Sequence, residues 1–299
     1  MNYYVDMPIY DYLADLYMRF RDKCERKNNL CELKNLSFEG GSIPDYSKEI
    51  ISLLYCLRYH FGYAFEYEEM YRSIMHEFKD ADSLSVLSVG CGNGIDLWSL
   101  FHATDRMNIN EIVYTGIDCV DWIDRFDINS PNSARYYNCE LSDADNIIDN
   151  LDGLDILIFP KSISELTSDD LRALANRIAN ITDKVYVLTS VRKNDYNRSS
   201  DISKIKELCT RFEKHGFRIT MGKTEECLEW QRDVGIRAER YDYEYPQEAL
   251  EYLLNLHIHC CEYDEDNVEC AKYCPLTIIR SPILKTNTIC CSIVKLERE

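Results

Sequence analysis

A glycine-rich turn between an apolar strand and a helical segment constrains the fold of this chain more than any other feature. The apolar residues 84–89 lead directly into residues 90–94, here called the glycine loop (GCGNG), and a helical pattern begins at Ile95. A second apolar run, residues 112–117, ends at Asp118. Glycines permit a tight turn and close approach of a ligand, and the acid can accept hydrogen bonds from ribose hydroxyls. This order predicts a βαβ nucleotide-binding unit.

The spacing of the loop glycines separates two classes of nucleotide-binding protein. Dinucleotide-binding enzymes carry G-x-G-x-x-G, with the third glycine inside the helix. This loop reads G-x-G-x-G and has Ile95 at that helical position. It resembles motif I of the class I S-adenosylmethionine-dependent methyltransferases, with Gly90, Gly92 and Gly94 at the glycines of the motif. The resemblance implies S-adenosylmethionine as the cofactor, and it implies that Asp118 holds the ribose hydroxyls.

The rest of the chain alternates strands with helices of ordinary length. The two strands around the glycine loop are followed by five more apolar runs, predicted as strands over residues 134–139, 154–159, 185–188, 217–221 and 289–296. This alternation predicts an α/β fold with a doubly wound, mostly parallel sheet, in which ligands bind beyond the carboxyl ends of the strands. With the resemblance, it predicts a seven-stranded, Rossmann-like methyltransferase sheet.

Three parts of the chain differ in their residue patterns. Residues 80–222 and 289–299 carry the strand-helix alternation and are predicted to form the S-adenosylmethionine-binding core. Residues 1–79 carry apolar stripes at helical spacing and are predicted to form a helical N-terminal cap. Residues 223–288 interrupt the sheet before its last strand and are predicted to form a C-terminal, Cys-rich insertion that also contains histidines.

Tyrosines recur every four residues in the predicted cap. Either one helix or two helices separated by a break at Gly62 are expected over residues 46–78. Four-residue spacing places side chains along one slowly turning helix face. That face either lines a lid over the substrate or packs within the cap, as aromatic stripes usually do. The tyrosines concerned are Tyr55, Tyr59, Tyr63, Tyr67 and Tyr71.

Residues at the predicted strand ends are the candidate cofactor contacts. The backbone of the glycine loop, including Cys91, would approach the methionine and ribose parts of the cofactor. Cys119 would flank the adenine, and Glu140 with Leu141 would contact its edge, because they follow directly after the second and third strands. Ser88 departs from the family pattern, since many members carry an acid two positions before the first glycine.

The resemblance places the methyl acceptor near the end of the fourth strand, at residues 159–165. The Asn/Asp-Pro-Pro-Tyr/Phe sequence of amino-methylating DNA and protein enzymes is absent there, so methylation of that type is not expected. Glu165 is the candidate catalytic residue: it acts as a base, orients an amine, or caps the helix whose start is predicted at Thr167. Lys161 holds an anionic substrate group or faces solvent.

A cluster of cysteines and histidines marks the predicted insertion. His257, Cys260, Cys270 and Cys274 are candidate metal ligands, because thiolates and imidazoles bind Zn²⁺ tetrahedrally and short spacings let one loop supply two ligands. Their spacing is not that of a standard zinc site, and a cysteine-rich segment without metal is the alternative. The cluster, together with Ser164-Glu165-Leu166, also gives a weaker resemblance to the mitochondrial ribosome small-subunit methyltransferase-like family.

Charge and hydropathy limit the partners of the chain. Its net charge of −18 argues against broad affinity for nucleic acid, because phosphate neutralisation supplies most of that binding. A small molecule or protein is therefore favoured over RNA as the acceptor, whose identity the sequence does not reveal. No signal segment and no membrane-spanning apolar run occur, so a cytoplasmic protein without a membrane partner is expected.

The leading functional hypothesis is S-adenosylmethionine-dependent methyl transfer. The alternative is a non-catalytic protein that keeps the methyltransferase fold to bind a nucleoside or a partner, which Ser88 and the lack of a clear catalytic motif favour. A dinucleotide-dependent dehydrogenase is disfavoured by Ile95, which stands where the third glycine would fall.

Overall fold

The structure, a computed structural model, describes residues 2–26, 30, 33, 44–105, 107–192, 195–222, 228–231, 244–256, 282–284 and 288–298. These residues form two compact units. One unit draws on Met7–Tyr63 and Asp233–Thr286, and the other on Asn2–Asp6, Ala64–Arg232 and Asn287–Glu299. The division into cap, core and insertion made from the sequence stays a prediction.

The described residues contain ten strands, and they contain seven α-helices, each of at least five residues. The strands are β1 (Asn2–Tyr4), β2 (Ser83–Val89), β3 (Glu111–Asp118), β4 (Arg125–Asp127), β5 (Ser133–Asn138), β6 (Ile156–Pro160), β7 (Lys184–Ser190), β8 (Phe217–Met221), β9 (Leu228–Gln231) and β10 (Thr288–Arg298). The helices are α1 (Ile9–Glu25), α2 (Glu49–Ile74), α3 (Ile95–Thr104), α4 (Asp145–Asp149), α5 (Ser168–Ile181), α6 (Asp195–Glu213) and α7 (Gln247–Leu254).

Seven strands of the second unit form one sheet in the order β5-β3-β2-β6-β7-β10-β8. The first five are parallel to their neighbours, whereas β10 runs antiparallel to both β7 and β8. The short strand β9 also pairs with β10, and β1 pairs with β4 in a separate two-stranded sheet. The predicted seven-stranded, mostly parallel sheet flanked by helices is therefore confirmed.

The central strands are apolar along their whole length because helices cover the sheet. In β6, residues 156–159 are all fully buried, and Val185, Val187 and Leu188 of β7 are equally inaccessible or nearly so. Continuous apolar runs of this kind are typical of parallel strands buried on both faces. Helix α5 begins as the sequence predicts, with a capping box in which Thr167 and Asp170 each satisfy a backbone amide of the other.

The parallel strands bring their carboxyl ends to one edge of the sheet. Val89 of β2 lies beside Ile117 of β3, and Pro160 of β6 lies beside Ser190 of β7. The glycine loop, Asp118 and the segments that follow β6 and β7 therefore emerge at the same edge. Doubly wound sheets bind their ligands at this edge, so the fold positions the candidate site.

Of the two alternatives for residues 46–78, the structure has the one without a helix break at Gly62. Helix α2 is continuous through this residue. A Cβ atom at Gly62 would lie 2.8 Å from Cγ2 of Ile283 and 3.0 Å from its carbonyl oxygen. The missing side chain thus permits close approach of a second segment and does not interrupt the helix.

The tyrosines of α2 pack as an aromatic series. Tyr55 contacts Tyr59 with ring centroids 5.0 Å apart, and Tyr59 stacks on Tyr63 at 5.5 Å. Further along the helix, Tyr67 and Tyr71 are buried. This favours the packing interpretation over the lid interpretation for these side chains.

Among the described residues, no helix combines the length and apolarity needed to cross a bilayer.

We expect Gly62→Ala to destabilise the protein by about 1–2 kcal/mol, because overpacking against Ile283 outweighs the usual gain of about 1 kcal/mol for Gly→Ala in a helix interior. Urea unfolding measures the change. In an Ile283→Ala background, which removes the nearest overlapping atom, the loss should shrink. A stabilised Gly62→Ala protein would contradict the close approach.

Candidate cofactor site

The glycine loop adopts a conformation that side chains at its ends would prevent. Gly90, Gly92 and Gly94 have φ angles of 72°, 58° and 87°, in the left-handed region that L-residues rarely adopt. A Cβ atom at Gly90 would overlap Ser162, and one at Gly94 would overlap the hydroxyl of Tyr136. Two of the three glycines are therefore required by both backbone angle and space.

Asp118 closes the loop from the end of the neighbouring strand. Its Oδ2 accepts a hydrogen bond from the backbone N–H of Gly92 at 2.7 Å, and its Oδ1 accepts one from the N–H of Val120 at 2.8 Å. Burial raises the pKa of Asp118, while these two amides and the indole of Trp122 oppose that shift. A carboxylate has about four acceptor positions, so the carboxylate can also accept hydrogen bonds from ribose hydroxyls.

The other predicted cofactor contacts stand at the ends of β3 and β5. Cys119 is exposed directly after Asp118, and Glu140 is exposed where β5 has ended. Leu141 begins a short 3-10 turn and packs its side chain into the core. The structure brings these residues to the same edge as the glycine loop. Their contacts with a cofactor stay predictions.

The cysteines at this edge are not activated as nucleophiles. Burial raises the pKa of Cys91 well above its usual range, and its Sγ lies 3.6 Å from the carbonyl oxygen of Gly92. Burial, followed by nearby acids, also raises the pKa values of Cys119 and Cys139. Because the thiolate is the reactive form, these environments argue against a covalent cysteine intermediate at this site.

A buried carboxylate that sequence reasoning missed lies under the glycine loop. Asp96, the second residue of α3, is 0 % exposed, and its two oxygens accept hydrogen bonds from the Tyr114 hydroxyl at 3.0 and 2.9 Å. Burial raises its pKa to about 6, while the nearby Ser88, the Tyr114 hydroxyl and the backbone amides of Asp96 and Leu97 oppose the shift. An acid in the first helical turn was visible in the sequence, but its burial was not.

Lys161 is held in a buried ion pair, which neither sequence interpretation anticipated. Its Nζ lies 2.6 Å from Oε1 of Glu66, and the hydroxyl of Ser190 donates to the same oxygen at 2.5 Å. Glu66 is 4 % exposed, and Lys161 has a φ angle of 64°. This strained, buried pair lies next to Ser162, whose hydroxyl donates to the carbonyl oxygen of Val89. It joins α2 to the ends of β6 and β7.

Glu165 faces an arginine that a buried aspartate holds in place. Asp201, fully buried in α6, accepts hydrogen bonds from the backbone N–H of Arg192 at 2.8 Å and from its guanidinium at 3.1 Å. The guanidinium lies 3.9 Å from Oε1 of Glu165. Although its side chain is 66 % exposed, partial desolvation raises the pKa of Glu165, Arg192 lowers it, and Asp118 and Asp201 raise it. Glu165 does not cap α5, because Thr167 does.

The predicted metal ligands His257, Cys260, Cys270 and Cys274 lie outside the described residues. In the part of the chain that the structure describes, no group of three or more His, Cys, Asp or Glu side chains could hold a metal ion. Zinc therefore stays a prediction for the undescribed segment.

The strand order and the glycine loop together decide the fold. The chain has the class I methyltransferase fold. No family model matches the sequence, and no curated protein matches it. Among solved structures, it is similar to a cyclopropane-fatty-acyl-phospholipid synthase-like protein from Lactobacillus casei, with 13 % identity over 79 % of this chain and 92 % of that one and a TM-score of 0.42.

The chain is also similar to the plantazolicin methyltransferase BpumL in complex with a monoazolic desmethylPZN analog and SAH. The identity is 13 %, the match covers 94 % of this chain and 100 % of that one, and the TM-score is 0.42. Similarities as remote as these support no argument about activity.

We expect Gly94→Ala to lower the free energy of unfolding by about 2–4 kcal/mol, since it adds both backbone strain and overlap with Tyr136. Gly92→Ala serves as the matched control. It meets nothing closer than 3.9 Å, so it should cost only the strain, about 1–2 kcal/mol. Urea unfolding of both variants checks the order, and equal losses would contradict the packing of Tyr136 over the loop.

Proposed function

We propose that this protein is an S-adenosylmethionine-dependent methyltransferase. The observation that carries the proposal is the attachment of Asp118 to the glycine loop, here called the Asp118 clamp: the carboxylate accepts hydrogen bonds from the N–H groups of Gly92 and Val120. It fixes a carboxylate at the end of β3 beside a backbone that only glycines can form. An acid at this strand end suits ribose hydroxyls, and an open glycine turn suits the approach of the remaining cofactor atoms.

The residues around the clamp fit the remaining parts of the cofactor. The loop amides and carbonyls would face the methionine and ribose parts, and the exposed Cys119 would flank the adenine. Glu140 and the backbone of Leu141 would contact the adenine edge. The bound cofactor would supply a methyl group on a positively charged sulfur. The task of the chain is to bind it and to align an acceptor with that methyl group.

Glu165 is the candidate for handling the proton of the acceptor. Its carboxyl lies at the edge that carries Asp118, and Arg192 faces it at 3.9 Å. A carboxylate can orient a protonated amine or accept its proton once the amine is in place. The chain carries a net charge of −18, which favours a cationic or neutral small molecule or a protein over RNA as the acceptor.

Calorimetric titration tests the cofactor. We expect S-adenosylmethionine and S-adenosylhomocysteine to bind and NAD not to bind. Asp118→Ala should weaken the binding of S-adenosylhomocysteine by about 100-fold, because two ribose hydroxyls lose a charged acceptor.

Asp155→Ala is the matched control for this experiment. Asp155 is also a partly buried aspartate that accepts a backbone hydrogen bond, from Ser85 at 2.9 Å, but it precedes β6 at the opposite edge of the sheet. We expect this variant to bind the cofactor like the unmodified protein. Unchanged binding by Asp118→Ala, or equal losses in both variants, would exclude Asp118 as the ribose ligand.

Transfer of a labelled methyl group to the small molecules and proteins of a cell extract tests catalysis. We expect Glu165→Gln to lower the transfer rate by about 100-fold or more while cofactor affinity stays unchanged, because a general base contributes about that much. An equal rate would exclude Glu165 as the base. Cofactor binding without transfer to any small molecule or protein would favour the alternative of a non-catalytic nucleoside-binding protein.

A further inference from the structure

The first turn of α3 contains a carboxylate at the place where many nucleotide-binding folds hold an anionic ligand group. Helix N-termini carry partial positive charge and free N–H groups, and dinucleotide-binding folds use them to bind pyrophosphate. Here Gly94 precedes the helix and Asp96 is its second residue. The carboxylate of Asp96 thus lies in the first helical turn, where a negative charge offsets the partial positive charge of the helix end. This end of the helix is therefore already neutralised by the chain itself.

Burial makes this charge effective at short range. Asp96 is 0 % exposed, so solvent does not screen its carboxylate directly. The group that donates hydrogen bonds to its oxygens is a neutral one, the Tyr114 hydroxyl. The titratable groups that interact electrostatically with Asp96 are Tyr71 of α2, Cys91 of the loop, Tyr114 of β3 and Tyr136 of β5. Asp118 and Arg125, around the neighbouring turn, interact with Cys91.

We propose that Asp96 sets the charge of the ligand that this site accepts: its buried carboxylate favours a cationic sulfonium cofactor and disfavours an anionic pyrophosphate. The inference rests on the proposed function, and it assigns a specificity role to a residue that does not itself reach the surface. It also gives a second physical reason, besides the position of Ile95, why the loop is not a dinucleotide site.

Two ligands that differ by one charge provide the test. S-adenosylmethionine has a positively charged sulfur and S-adenosylhomocysteine a neutral one, and both share the nucleoside and the amino-acid end. Calorimetry from about pH 5 to about pH 7 keeps the amino group of both ligands protonated. The quantity to follow is the ratio of the two affinities, because a merely structural change would weaken both ligands together and leave this ratio unchanged.

In the unmodified protein, the ratio should fall by about fivefold as the pH drops through the range in which Asp96 becomes protonated, the order of effect of one charge acting through a partly polar interior. The pKa of Asp96 is raised to about 6, so the fall should be centred near there. Asp96→Asn should show the low ratio at every pH. Loss of the pH dependence in this variant also separates Asp96 from Asp118, whose raised pKa would otherwise act in the same direction.

Tyr114→Phe provides a second variant that keeps the charge. It removes a hydroxyl that lowers the pKa of Asp96, so the fall in the ratio should move to higher pH. This result stands independently of whether Asp96→Asn folds well, which thermal melting shows. The proposal is overturned if Asp96→Asn keeps the ratio and pH dependence of the unmodified protein, or if Tyr114→Phe leaves the fall in place. Binding of neither ligand by the unmodified protein would instead overturn the proposed function and this inference with it.

Discussion

The end of β3 holds the glycine loop in place, and the rest of the candidate site depends on that attachment. The carbonyl oxygen of Ile117 accepts hydrogen bonds from the N–H groups of Gly90 and Cys91 at 2.7 and 3.2 Å. Asp118, the next residue, accepts one from Gly92 at 2.7 Å. Three consecutive loop amides are thus bound by two residues of the neighbouring strand. A parallel strand pair can do this because both of its strands end at the same edge.

Once the loop is fixed, its surroundings are fixed with it. Gly90 lies against Ser162 after β6, and Gly94 lies against Tyr136 of β5. The hydroxyl of Tyr136 donates to the carbonyl oxygen of Phe126 at 2.6 Å, which connects the loop to β4. Elements on both sides of β2 therefore pack against the glycine loop. This explains why the glycines tolerate no side chain at either end of the loop, whatever the ligand.

Three buried carboxylates lie near the edge where this turn lies. Asp96 and Asp201 are 0 % exposed and Glu66 is 4 % exposed. Burial of charge costs free energy unless donors compensate for lost water, and each of these groups has one: Tyr114 of β3 for Asp96, Lys161 for Glu66 and Arg192 for Asp201. Lys161 adds backbone strain at the same edge. Such costs accumulate at functional sites, because there stability is not the only property that the residues serve.

The sequence predicted what depends on neighbouring residues and missed what depends on distant ones. The glycine loop, the strands around it and the start of α5 at Thr167 follow from local backbone and capping rules, and the structure has them. The pair of Lys161 with Glu66 spans 95 residues of sequence, so no spacing pattern reveals it. The close approach at Gly62 was missed for the same reason: its partner, Ile283, is remote in the chain.

The distribution of charge at this edge bears on each stage of a methyl transfer. Negative groups near a sulfonium lower the free energy of the bound cofactor, which by itself strengthens binding and does not accelerate the reaction. If the acceptor is an amine, positive charge moves from sulfur to nitrogen during the transfer. The carboxyl of Glu165 is the candidate group at this edge for stabilising that charge on nitrogen. The demethylated product has lost the positive charge that Asp96 favours. Compared with a site that lacks this carboxylate, the site would therefore bind S-adenosylmethionine more tightly relative to S-adenosylhomocysteine, and the residue that selects the cofactor would also favour release of the product.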